Sequence, residues 1–101
     1  MLFSQTFCQS FTNDHLMMIQ QHFYVQSSTE NGDIDYAVAI FEDAEGVNQT
    51  IEIVASTDSD QTNVVIYLID ALGMSETINL EKMLKIIALA KIKPLPSIVV
   101  D

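Results

Sequence analysis

Residues 34–43 alternate cleanly: Ile34, Tyr36, Val38 and Ile40 share one side of an extended strand, and Asp35, Ala37, Ala39 and Phe41 share the other. Residues 49–56 repeat the pattern, setting Ile51, Ile53 and Ala55 against Thr50, Glu52 and Val54, and residues 62–70 form a further strand. Turn-forming segments separate them: 29–33 with its Asn31-Gly32 step, 42–48 around Gly46, and 57–61. With residues 22–27 as a first strand, the pattern predicts an antiparallel meander of four or more strands.

Helical spacing flanks this meander. Phe3, Phe7 and Phe11 recur every fourth residue, and Thr12 or Asn13 can cap a helix over 13–21 with Leu16, Ile19 and Phe23 on one stripe. After Leu72-Gly73-Met74, Thr77 or Asn79 can cap a second helix running to about Lys91, where Pro94 ends it. Its stripe is Leu80, Met83, Leu84, Ile86, Ile87 and Ala90, while Leu89 lies off that stripe. Residues 97–101 fit a last short strand. The 101 residues therefore predict a single α+β domain over 1–101, an antiparallel meander with two principal helices packed on it.

Residues 64–69 change this picture. Val64, Ile66 and Leu68 point one way and Val65, Tyr67 and Ile69 the other, so both faces of the strand are apolar. A sheet covered on one face only shows a polar second face, so a further cover is expected. Phe41, Val65, Tyr67, Ile69 and Leu89 are the candidate partner-binding residues. Composition agrees: apolar residues make up 49% and charged residues 18%, against roughly 25% charged in an average chain. That is more apolar surface than a small core hides, and it predicts a homodimer or a standing protein partner.

The charge restricts the partner. Thirteen carboxylates and no lysine or arginine occur in residues 1–81, and Lys82, Lys85, Lys91 and Lys93 are the only such cations in a chain of net charge −10. Nucleic acid and anionic membrane are excluded as direct ligands, because binding a polyanion needs cations to displace its counterions. A basic or apolar protein segment is the expected partner, steered by turn carboxylates at Glu42, Asp43, Glu45, Asp58 and Asp60. Solvated in turns, these acids are expected to keep near-ordinary pKa values.

Catalytic and metal chemistry is sparse. Asp58, Asp60 and Thr62 open like a calcium loop, but Asn63 and Ile69 stand where its glycine and bidentate glutamate belong. His15 and His22 would lie roughly 10.5 Å apart along one helix, too far to share a zinc. No serine sits in a nucleophile elbow, and three glycines leave no phosphate-cradling loop. Cys8 alone forms no intrachain disulfide, reads as a small apolar filler, and fits a reducing cytoplasm. The expectation is a cytoplasmic, non-enzymatic protein without cofactor or metal.

Two classes remain. The stretch Val65-Ile66-Tyr67-Leu68-Ile69-Asp70-Ala71-Leu72-Gly73-Met74, then the helix with Leu84 and Leu89, then Ser97-Ile98-Val99-Val100-Asp101, resembles the effector chaperones of type III secretion. About a third of the chain carries the resemblance directly and the rest by element order. That family has one strand fewer before the helix, and continues with another strand and a closing helix. The resemblance implies a homodimer joined partly through the second helix, with an effector segment wrapped in extended form over apolar patches. The alternative is a DNA mimic or inhibitor, such as a phage anti-defence protein, occupying a basic groove on a nucleic-acid-binding target. A mimic needs carboxylates roughly 6–7 Å apart along one surface, whereas successive turns of a meander fall at opposite ends.

Overall fold

The computed structural model describes residues 3–27, 32–58 and 61–90. Its N-terminal part is set by capping side chains. Ser4 Oγ accepts the Phe7 N–H at 3.3 Å and starts α1 (Gln5–Ser10). Thr12 starts α2 (Asn13–His22): its Oγ1 accepts the His15 N–H at 3.2 Å, and its own N–H donates to His15 Nδ1 at 3.4 Å. A histidine thus stands where a capping box usually carries glutamate or glutamine, and Nδ1 must be unprotonated to accept. The four-residue phenylalanine spacing becomes a ladder of rings. Phe3 stacks on Phe7 at 6.0 Å, and Phe7 meets Phe11 edge-on at 5.7 Å.

The chain then builds one antiparallel sheet in sequence order: β1 (Tyr24–Ser27), β2 (Ile34–Glu42), β3 (Asn48–Asp58), β4 (Gln61–Ile69) and β5 (Ser75–Ile78). Cross-strand rows define its two sides. Val25, Ala37, Ile53, Ile66 and Ile78 form one row, and Ala39, Ile51 and Leu68 the next. Both lie under the helices. Their buried members share one core cluster with Phe7, Phe11, Leu16, Ile19, Phe23 and Met83. Small alanines on β2 leave volume that the helical side's aromatic rings fill.

One irregularity shifts a residue from its expected side. Gln26 pairs Tyr36 but Ser27 pairs Ile34, so Asp35 is an extra residue in β2. Strict alternation puts Ile34 beside Tyr36, Val38 and Ile40; the bulge turns it into the core instead, where it is buried. There it also anchors the N-terminus, since Phe3 bridges to it and its carbonyl accepts the Ser4 N–H at 2.7 Å.

The C-terminal part differs from expectation in one element. Leu72-Gly73-Met74 does not lead into the helix; it closes a hairpin between β4 and β5. The helix α3 (Leu80–Ala90) follows, capped by Asn79, whose Oδ1 accepts the Lys82 N–H at 2.8 Å. Met83 is fully buried, and Leu80, Leu84, Ile86, Ile87 and Ala90 pack against the core cluster. The strand expected over 97–101 lies outside the described residues. Removing the ring of Phe7, which is 0% exposed, should cost about 3–5 kcal/mol in urea unfolding as Phe7→Ala. Leu72→Ala, at a solvent-exposed hairpin tip, should stay within about 0.5 kcal/mol.

Candidate partner-binding surface

All three described helices lie on the same side of the sheet, and among the described residues nothing packs on the other. That open side consists of three central rows. The middle row is Tyr24, Val38, Glu52, Tyr67 and Thr77. One flanking row is Gln26, Tyr36, Val54 and Val65, and the other is Ile40, Thr50, Ile69 and Ser75. Tyr24 is 63% exposed and Ile40 67% exposed, whereas Tyr36, Val38, Val54, Val65, Tyr67 and Ile69 are half-buried by one another. The rows form an apolar and aromatic surface with one carboxylate at its centre. Tyr36 donates its hydroxyl to Glu52, and burial first, then the Glu52 charge and that hydrogen bond, push the phenol above its ordinary pKa.

Of the residues singled out from the sequence, this surface unites Val65, Tyr67 and Ile69. It does not include Phe41. Odd-numbered residues of β2 beyond the bulge face the helices, so Phe41 lies in the core at 8% exposure. Its assignment to a partner-binding face is corrected accordingly. Leu89 is 84% exposed but lies on α3, on the helical side of the sheet. It borders an open groove of about 340 Å³ between α3 and the β2–β3 loop, lined by Phe41, Leu68, Ile86 and Ala90 with Asp43 and Lys82 at its rim. Tyr24, Tyr36, Val38, Ile40, Glu52 and Val54 also stand on the open face, beyond the residues expected there. The signal for three of them was present in the β2 alternation.

The acidic turns have a specific construction. In Asp43-Ala44-Glu45-Gly46-Val47, the Asp43 N–H donates to Val47 O at 2.9 Å, and Asp43 Oδ1 accepts the Glu45 and Val47 N–H groups at 2.9 and 3.0 Å. Asp70-Ala71-Leu72-Gly73-Met74 repeats it: the Asp70 N–H donates to Met74 O at 3.0 Å, and Oδ1 accepts from Leu72 and Met74, both at 2.9 Å. Gly46 and Gly73 take the positive φ, 79° and 83°, that this bulged hairpin turn requires. Asp43 Oδ2 also accepts Gln49 Nε2 at 2.8 Å. The backbone bond to Val47, then the Gln49 bond, hold the Asp43 carboxyl below its ordinary pKa. The expectation of ordinary titration in the turns therefore fails at Asp43, whose oxygens organise the hairpin as well as carrying charge. Glu42 and Glu45 are exposed beside it. The β3–β4 connection, with Asp58, falls at the opposite end of the sheet, and Asp60 lies outside the described residues.

Among the described residues no three His, Cys, Asp or Glu side chains converge as a metal site would require. His15 is engaged in the α2 cap. His22 Nδ1 is buried without a hydrogen-bond partner at the end of α2. Cys8, read from sequence as an apolar filler, is exposed on α1, its Sγ 3.7 Å from Phe3 O. No described helix is long and apolar enough to cross a membrane. No family model, curated protein or solved structure matches the chain.

Two outcomes follow. Phe41→Asp places a carboxylate in the core and should lower the urea midpoint sharply, a loss of about 3 kcal/mol or more. Asp43 is held below its ordinary pKa by the fold, so its ionised form stabilises the protein above that ordinary value, and this is lost as pH falls through the depressed value. The gap in urea midpoint between wild type and Asp43→Asn should thus be widest near neutral pH and close in acid.

Proposed function

We propose that this protein is a non-enzymatic, acidic binding module that holds a segment of another polypeptide against the open face of its sheet. The observation that carries the proposal is the composition of that face: Tyr24, Tyr36, Val38, Ile40, Val54, Val65, Tyr67 and Ile69 on one side of a sheet whose described helices all lie on the other. Contiguous apolar surface of this kind marks an interaction site. Negative charge in the flanking loops speeds encounter with a positively charged partner, and the apolar face supplies the affinity. A chaperone for a secreted effector, working in the cytoplasm, is the specific member of this class that we propose from the sequence resemblance.

In this proposal the open face is left to the partner, and a second copy joins through α3. Exposed Leu89 beside the groove lined by Phe41, Leu68 and Ile86 supports that assignment, as does the placement of Lys82 near the acidic β2–β3 loop. The DNA-mimic alternative is not adopted. It needs a continuous anionic stripe, and the Asp43 and Asp58 connections lie at opposite ends of the sheet.

The test is capture of the native partner by tagged wild type and by Tyr67→Asp, with circular dichroism as the folding control. Wild type should retain the partner and Tyr67→Asp should lose it with an unchanged spectrum; equal retention contradicts the proposal. For the dimer, sedimentation should show wild type as two copies and Leu89→Glu as one. A monomeric wild type removes that part of the proposal.

A further inference from the structure

Resting on the open-face proposal, we infer that the occupant presents a lysine or arginine to Glu52 from within an otherwise apolar stretch. Glu52 is the only charged residue in the three central rows, with Val38 across from it on β2 and Tyr67 on β4. A purely apolar occupant would strip water from this carboxylate and leave it unpaired, which is unfavourable unless a cation arrives with the occupant.

The described part of the chain offers no such cation. Residues 1–81 contain neither lysine nor arginine. Lys82 pairs with Glu76 at 3.5 Å and Lys85 with Glu81 at 3.6 Å, on and beside α3. Tyr36 occupies one acceptor position of Glu52, and a carboxylate has several more. The rings of Tyr36 and Tyr67 flank the same spot, and aromatic faces attract a cation. A second copy laid on this face about a two-fold axis near Glu52 would bring one Glu52 towards another with no cation from the described residues between them, a repulsive arrangement. Over a second copy docked in that way, the site favours a different chain, one with an apolar sequence interrupted by a single positive charge.

The probe is an acetylated, amidated heptapeptide of alternating threonine and valine with one central arginine. Its control carries citrulline, which keeps the shape and removes the charge. Both are titrated into the wild-type protein and followed by backbone amide NMR shifts. We expect shifts on β3 and β4, and arginine-peptide binding about tenfold tighter than the control, as a charge-assisted hydrogen bond provides. Glu52→Gln should erase that preference, bringing the two peptides to equal affinity.

Equal affinities for the two peptides, both lost in Tyr67→Asp, would overturn the Glu52 inference and leave the open-face proposal standing. Absence of binding by either peptide, or shifts that persist in Tyr67→Asp, would overturn both. Concentration-dependent shifts on β3 and β4 without peptide would make the occupant a second copy, against the inference. A matching loss of thermal stability in Glu52→Gln and in Lys91→Gln/Lys93→Gln would assign Glu52 a cation from its own chain and would likewise overturn the inference.

Discussion

In an extended strand neighbouring side chains point to opposite sides, so the six consecutive apolar residues 64–69 cannot all be buried by one layer of helices. Val64, Ile66 and Leu68 receive the cover of the helices, and Val65, Tyr67 and Ile69 are turned away from it. The adjoining strands obey the same constraint. Ala37, Ala39, Ile51 and Ile53 join the core, while Val38, Ile40 and Val54 stand on the far side. Slipping any central strand by one residue would exchange core for surface along its whole length, so the register that secures the core also fixes the composition of the open face.

That coupling separates the parts of the molecule by task. The phenylalanine ladder, the Thr12–His15 cap and the Ile34 bulge close the first helices onto the sheet. Asn79 and Met83 place α3 on the same side. The two Asp-Ala-x-Gly hairpins at one end use a carboxylate to satisfy turn N–H groups, so part of the negative charge is also structural. The exposed ion pairs of Lys82 and Lys85 add little stability at the surface. Among the described residues the open face has no comparable internal role, and its apolar side chains do not add to the core. Such exposure is coherent when a partner covers it on binding.

Strand alternation makes β2, β3 and β4 legible in the sequence, and capping residues mark α2 and α3 to within a residue or two. β5 escapes such a reading because Ser75, Glu76 and Thr77 carry no apolar signal, only Ile78 reaching towards the core. Its hairpin motif at Asp70–Met74 duplicates Asp43–Val47, but the shared Asp-Ala-x-Gly pattern has meaning only once the bonds are seen. The bulge at Asp35 moves Ile34 between faces, a change that period-two counting does not detect. Phe41 stands in the core and not on the open face; periodicity separates two faces without saying which one helices cover. Glu52 looks like any polar strand residue until the register places it between Val38 and Tyr67.

The most direct measurement of the central claim is hydroxyl-radical footprinting of the free protein and of its captured complex. The account predicts that Tyr36, Tyr67, Val65 and Ile69 are oxidised in the free protein and protected in the complex, with Phe7 and Phe23 protected in both. Oxidation of the open face unchanged by the partner, or protection of that face already in the free monomer, would contradict it.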